Sequence, residues 1–360
     1  MKPPITLAEL AHRLGLSSST VSKALNDRPD INERTRQRVL VAAERFNYRP
    51  NPAGQRLRRQ SSDTIGFVLS APQAHFAHPF FLDMLMGINE ELEGTRFQVI
   101  ISSARSFDHE MACFERLVEQ HRVDGLLFGR TRRDDPRIAY LLKRKIPFVA
   151  FGRSEIREPF PSLDIDHSVV GRDGCARFVA LGHRRIALLN TPEHLMFSHH
   201  HRIGYESALR AAGIEPSPEL CISSEITEEG GAMAAHRLLD LDDPPSAIVC
   251  GHDLMAMGAM RAIAERGFEP GRDIGVIGGD NHPFGSLISP ALTTFSAETY
   301  AAGKRMVQML MARFGGTPVA ELQEVWLPKI ILRSSDGPRR VDLVERRGSG
   351  VLRRAAAAPP

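Results

Sequence analysis

Between residues 5 and 48 the apolar positions recur every three or four residues. Leu7, Leu10, Ala11 and Leu14 make one stripe, Val21, Ala24 and Leu25 a second, and Val39, Leu40, Ala43 and Phe46 a third. That period belongs to amphipathic helices. Thr6 followed by Glu9 is a capping-box start, Gly15 breaks the first helix, and a second begins at Ser17 or Ser18. Pro29 closes that stretch, and Asn32 suits the N-cap of a third helix. After Asp63 the pattern changes. "TIGFVLS", "FQVIISS", "DGLLFG", "IPFVAFG", "RIALLN", "SAIVCG" and "DIGVIGG" are short apolar runs with helical stretches between most of them. Such alternation predicts parallel sheets with crossover helices, and the set divides into two αβ lobes. "NYRPNPAGQRLRRQSSD" between the two regimes reads as a linker, with a short helix fitting 52–58. From residue 334 the chain has little periodicity and much Arg, Gly, Ala and Pro, so 334–360 is expected to be a disordered tail. The expected domains are therefore 1–50, a linker 51–62, a two-lobed core 63–333 and that tail.

Two short helices meeting at a tight Gly15 turn, the second polar on its outer face, predict a helix-turn-helix. Its second helix would enter the DNA major groove by its N-terminus. Ser18 and Ser19 would then reach base edges, and Lys23, one turn on, a base or phosphate. Ser17, Thr20, Ser22 and Asn26 would serve phosphates, which position the helix without reading sequence, and Thr6 is a further candidate DNA contact. The plain alternative is a three-helix bundle with a Ser-rich surface. Charge tilts the choice: residues 1–60 hold twelve Lys and Arg against five Asp and Glu, a balance of +7, so the other 300 residues carry −4 of the net +3. A basic unit on a mildly acidic body suits a polyanion partner for the first segment alone.

The run "ITLAELAHRLGLSSSTVSKALNDRPDINERTRQRVLVAAERFNYRPNPAGQRL" resembles the DNA-binding headpiece of the lactose/galactose repressor (LacI/GalR) family. The likeness continues to about residue 333 through "PFF", "VDGLLFG", "DIDH", "LGHRRIALL", "GYESALRAAGI", "HDLMAMGAMRAI", "DIGVIGGD", "PALTTF" and "LPKIILRSS". It implies an all-α helix-turn-helix headpiece joined by a hinge to a periplasmic-binding-protein-like α/β core of two Rossmann-like lobes. It also implies a hinge helix that folds on near-palindromic operator DNA, with Leu57 wedged into a minor-groove step and Tyr48, Asn51 and Arg56 contacting the backbone or groove nearby. Gly54 stands where the family usually has Ala. Gly costs about 1 kcal/mol relative to Ala inside a helix, so this hinge should fold less readily. A homodimer or higher assembly is implied as well.

In open parallel sheets ligands meet the loops at the strand carboxyl ends. Here those loops carry His78, Phe80 and Phe81 after the first strand, Arg153 after "VAFG", His252 and Asp253 after "AIVCG", and Asp280 after "GVIGG". Carboxylate, guanidinium and aromatic faces suit a polyhydroxyl ring. The resemblance makes Asp280 the leading effector contact and His252 the next, while Asp253 reads better as the N-cap of the following helix. The family usually has Arg three residues before the Gly of "GY". Here that place is His201, with Arg202 one later, so either His201 faces the ligand or the loop shifts to bring in Arg202. His199, His200 and His201 are adjacent and cannot easily converge on one ion, so no metal is expected. "PFVAFGR", "DPRIAYLL" and "LDIDH" resemble the family branch linked to sugar uptake, including α-glucosides. The effector is accordingly expected to be a sugar. A purine or other small metabolite acting as corepressor, and a sugar-binding module that does not switch, are the alternatives.

Other function classes fit less well. No GxGxxG follows the first strand and no P-loop occurs, so neither a nucleotide cofactor nor an oxidoreductase is expected. The four Cys (113, 175, 221 and 250) lie far apart, as in a reducing compartment. Glu9, His12 and Arg13 interrupt the apolar residues of the N-terminus, unlike a secretory signal. The expectation is a cytoplasmic, effector-responsive repressor without enzymatic activity or membrane partner.

Overall fold

The structure is a computed structural model and describes residues 5–49, 61–69 and 79–339. The chain divides into two compact units, 1–62 and 63–360. In the first, α1 (Leu7–Leu14), α2 (Ser18–Leu25) and α3 (Glu33–Arg45) enclose a small core of Leu10, Ala11, Val21, Ala24, Val39, Ala42 and Ala43. Thr6 and Glu9 close the capping box. Gly15 takes a left-handed φ of 65°, which ends α1 and turns the chain into α2. The expectation for Leu40 is corrected: it is 42% exposed. The buried stripe of α3 runs through Val39, Ala42 and Ala43, and Leu40 lies a further 100° round the helix.

The second unit contains two lobes. Its elements are β1 (Thr64–Leu69), α4 (Pro79–Leu92), β2 (Gln98–Ser103), α5 (Phe107–Glu119), β3 (Gly125–Gly129), α6 (Pro136–Arg144), β4 (Phe148–Phe151) and β5 (Ser162–Ile165). There follow α7 (His167–Ala180), β6 (Ile186–Asn190), α8 (Met196–Ala211), β7 (Cys221–Ser223), α9 (Glu228–Leu239), β8 (Ala247–Cys250), α10 (Asp253–Glu265) and β9 (Gly275–Ile277). The chain ends with β10 (Thr294–Phe295), α11 (Thr299–Phe314), β11 (Gln323–Trp326) and β12 (Ile330–Ile331). One lobe is a parallel sheet in the order β2-β1-β3-β4-β5-β11, and the other a parallel sheet in the order β7-β6-β8-β9 beside the antiparallel pair β10-β12. In each sheet the direction of winding reverses beside the first strand, at β1/β3 and at β6/β8, where α/β sheets open a crevice.

The chain crosses between lobes three times: from β5 to α7, from β10 to α11 and from β11 to β12. These crossings are tied together. Asp166 N–H donates to the Trp326 carbonyl at 2.8 Å, and Ser296 N–H to the Lys329 carbonyl at 2.8 Å.

The expected tail boundary is also corrected. Residues 334–339 are placed, and Ser335 and Asp336 are buried. Ser335 O and Oγ belong to the edge of β9: Val276 N–H donates to its carbonyl at 2.7 Å and its hydroxyl donates to the Val276 carbonyl at 2.6 Å. Asp336 accepts from Thr293 Oγ1 (2.6 Å) and Arg177 Nε (2.8 Å). Short polar side chains make this attachment, so no apolar period announces it.

Candidate functional site

The headpiece and the core each carry a candidate site. In the headpiece, Ser18 and Ser19 stand exposed at the start of α2, and Lys23 is exposed one turn on. The neighbouring polar groups serve the helix itself. Ser17 Oγ accepts from Thr20 N–H at 3.0 Å and lies 2.8 Å from Thr20 Oγ1. Asn26 Nδ2 donates to the Ser22 carbonyl at 2.6 Å, closing the other end. Thr6 Oγ1 accepts from Glu9 N–H at 3.2 Å, and Thr6 N–H donates to Glu9 Oε2 at 2.7 Å. Lys23 Nζ sits 2.5 Å from Asp30 Oδ2. Tyr48 is half-buried against the headpiece core. Asn51, Gly54, Arg56 and Leu57 lie outside the described residues, as does His78.

The core site is the cleft between the lobes, built from strand-end loops of both sheets. Phe80 and Phe81 come from the start of α4, Arg153 from the end of β4, His252 from the end of β8 and Asp280 from the end of β9; all line the cleft. Phe80 sits edge-on to Phe81 with centroids 5.2 Å apart and tilts toward Phe151 at 5.9 Å, making an apolar wall. A charged set lines the same cleft. Arg153 Nε donates to Asp164 Oδ2 at 2.5 Å, and its Nη2 reaches Asp166 Oδ1 at 3.3 Å and His200 Nδ1 at 3.3 Å. Burial pushes the Asp164 carboxyl up to about 6, with Arg153 holding it back from going further. His252 Nε2 lies 3.2 Å from Asp280 Oδ2, and the other Asp280 oxygen accepts from Asp253 N–H at 2.7 Å.

Two expectations are corrected here. His252, not Asp253, is the N-cap of α10, accepting from Leu254 N–H at 3.4 Å. Asp253 is wholly buried and gathers the loop after β9: its carboxylate accepts from Gly279 N–H (2.7 Å), Asp280 N–H (3.2 Å), His282 N–H (2.7 Å) and Thr294 Oγ1 (2.5 Å). It therefore fixes the loop that presents Asp280. Neither His201 nor Arg202 lines the cleft. His201 is 1% exposed and lies behind His167, whose Nδ1 is 3.2 Å from its Nε2. Arg202 turns outward to Glu193 and Glu206, both at 3.4 Å.

Several cleft residues escaped the sequence reading. Arg130, just past β3, projects over the Phe81 ring at 5.8 Å, and burial pushes its guanidinium down to about 10. The strand-end rule that found Arg153 applies to it equally. Asp164 and His167 belong to "DIDH", but "SLDI" does not read as a strand because a charge sits inside it. His167 takes the place expected of His201, its ring 5.3 Å from that of Phe197. Burial pushes His167 and His200 down to about 4 and His201 well below the ordinary imidazole value. All three are neutral at pH 7.

The comparisons match this two-part architecture. Residues 6–51 match the bacterial regulatory proteins of the lacI family, and 175–335 a periplasmic binding protein-like domain. The chain is 37% identical over 342 residues to the HTH-type transcriptional regulator AglR of Rhizobium meliloti, spanning 93% of this chain and 95% of that one. It is 30% identical to the HTH-type transcriptional regulator CelR of Thermobifida fusca, over 92% and 98%. Among solved structures, a CelR–cellobiose complex superposes with a TM-score of 0.71 at 30% identity, over 92% of this chain and 99% of that one. A lac repressor dimer bound to operator and the anti-inducer ONPF does so at 0.78 and 26%, over 92% and 99%. With a helix-turn-helix at its start, a two-lobed binding core behind it and relatives matched along nearly their whole length, the chain belongs to the lacI family of bacterial regulatory proteins and is a DNA-binding transcriptional regulator.

Proposed function

We propose that the protein is a cytoplasmic repressor of carbohydrate uptake or catabolism genes, and that a neutral sugar bound in the cleft controls its hold on operator DNA. It acts as a switch and not as a catalyst. The observation that carries the sugar is the cleft itself, which the aromatic rings of Phe80, Phe81 and Phe151 line together with Arg153, Asp164 and Asp280. Aromatic faces take the apolar face of a pyranose, and paired charged groups take its hydroxyls. The solved CelR complex contains cellobiose, which favours the same class.

At the DNA, Ser18 and Ser19 read base edges and Lys23 reaches a base or phosphate once Asp30 releases it. Ser17, Thr20, Ser22, Asn26 and Thr6 meet phosphates, with Tyr48, Asn51, Arg56 and Leu57 serving the hinge. The protein binds a near-palindromic site as a homodimer, the form named for the lac repressor structure. A ligand shifts this binding only by its differential affinity for the two states, typically 1–3 kcal/mol. Fluorescence anisotropy on a labelled operator, with and without neutral sugars, tests the reading. Asp280→Ala is expected to keep operator affinity and to lose the sugar response. A variant that responds like the parent places the effector outside the cleft.

A further inference from the structure

Arg137, in the first turn of α6, is wholly buried and does not line the cleft. Its Nη1 donates to Glu110 on α5 at 2.5 Å, and its Nε and Nη2 donate to the two oxygens of Asp135 at 2.9 and 2.6 Å. The same guanidinium reaches two backbone carbonyls, Gly129 from Nη1 at 3.2 Å and Arg130 from Nη2 at 2.9 Å. Arg132 balances the set, its Nη2 3.3 Å from Glu110 Oε2. Stability alone does not call for such a cluster, because well-packed apolar side chains in its place are often as stable or more so. Its geometry points to another use. The carbonyls of Gly129 and Arg130 belong to the two peptide planes that meet at the Arg130 Cα. Successive carbonyls point to opposite sides of an extended chain but to the same side of a helical twist, where one guanidinium can hold both. Arg130 has a φ of 53°, in the left-handed region that residues other than glycine seldom occupy. Such backbone persists only where its surroundings over-determine it. Asp135 fixes the chain just beyond, accepting from Arg132 N–H at 2.9 Å. The strip set in this way, Gly129, Arg130 and Thr131, lines the cleft, and the Thr131 carbonyl accepts Met196 N–H from the other lobe at 2.8 Å.

We infer that Arg137 is a positioning residue for the effector site: backed by Asp135 and Glu110, it imposes the left-handed turn at Arg130 that delivers the Arg130 guanidinium to the cleft, over the Phe81 ring. The inference rests on the cleft being the effector site and adds a residue that governs it without touching its occupant. With Arg130 relaxed to an ordinary backbone conformation, its Cβ leaves the chain in another direction and the guanidinium no longer reaches Phe81. The Thr131 carbonyl turns with it, so the same relaxation loosens the pairing with Met196 across the cleft.

Two comparisons on the full-length protein test this. The first reads the strain without any ligand. Arg130→Gly and Arg130→Ala remove the same side chain, but only alanine still bears the cost of the left-handed turn. The glycine variant is therefore expected to melt about 2–4 °C above the alanine variant. In an Arg137→Lys background that advantage is expected to vanish, since an ammonium is a point charge and cannot span both carbonyls and both carboxylates. Arg137→Met combined with Glu110→Gln, which leaves the balanced pair Arg132 and Asp135, gives the same reading with no cation at 137. The second comparison reads the site. In titration calorimetry with glucose, maltose and cellobiose, whichever sugar binds the parent most tightly is expected to bind the Arg137→Lys protein about tenfold more weakly. Alanine as stable as glycine at position 130, a glycine advantage that survives both changes at Arg137, or sugar affinity unaltered by them overturns the positioning role. Failure of all three sugars to bind the parent overturns the sugar reading of the cleft, and the glycine–alanine comparison then decides by itself whether Arg137 holds the turn.

Discussion

His201 shows how one residue can be conspicuous in sequence and silent at the surface of a site. It occupies the position where the family usually has Arg, yet it supports His167 from behind instead of meeting the ligand. Its electrostatics give it a measurable signature. Burial holds the folded imidazole neutral, so between its lowered value and 6.5 the unfolded chain binds a proton that the native state does not. The native contribution of His201 is intact above pH 6.5 and declines as pH falls below it. In paired urea titrations of the parent and His201→Gln, the parent's stability relative to the variant should fall as pH drops from 6.5 to 5, with a slope that steepens toward about 1.4 kcal/mol per pH unit. A gap independent of pH would mean that the ring takes up its proton at the same pH in the native state as in the unfolded chain. At this scale Arg153, His252 and Asp280 were legible because polar residues directly after apolar strands point to a site. His167 and Asp164 were hidden by a buried carboxylate inside a short strand. Asp253 was misread because a carboxylate before a helix suggests a cap, whereas here it organises a different loop.

Helix pairs set the positions of these side chains. α7 lies against α8, and the contact is made by Gly171 and Gly204. A Cβ at Gly204 would overlap the Ser168 carbonyl oxygen, and one at Gly171 the His201 carbonyl oxygen. The same reciprocal use of glycine joins α4 to α11 through Gly87 and Gly303, and α9 to α10 through Gly231 and Gly258. Since α8 carries Met196 and Phe197, which line the cleft, and α7 carries His167, the distance between the two helices is also a dimension of the cleft. Gly204→Ala should therefore cost roughly 1–3 kcal/mol of stability by overpacking. It should also weaken sugar binding, as read by denaturation and calorimetry on the same preparation. Loss of stability with unaltered sugar affinity would show that the helix shift stops short of the site. The seven apolar runs seen in the sequence correspond to β1 to β4, β6, β8 and β9. The strands that went unseen are short or carry polar residues inward: β5 contains Asp164, β7 has three residues, β10 and β12 two each, and β11 is an edge strand with exposed alternate positions. Hydrophobic patterning reveals strands with an unbroken apolar run, even the exposed edge strand β2, and passes over those that are short or interrupted by a charge, even the buried β5.

On the scale of the whole core, polar clasps do work that the apolar pattern does not announce. Residues 334–339 fasten the end of the described chain to β9 and α7, and His183 adds a contact of 3.1 Å from Nε2 to the Gly337 carbonyl. Ending the chain at Arg333 would strip partners from Thr293, Val276 and Arg177. Each buried group left unpaired costs about 1–3 kcal/mol, so this truncation should melt clearly below a chain ending at Arg339. Identical melting temperatures would make the clasp dispensable. The three lobe crossings carry a mechanical consequence. Joined by hydrogen bonds at Asp166–Trp326 and Ser296–Lys329, they act as leaf springs clamped side by side. Such a joint yields to bending about one axis and resists sliding, twisting and separation. A core joined in this way is expected to bend most readily about one axis, so that an occupant of the cleft would be registered chiefly as an angle between the lobes.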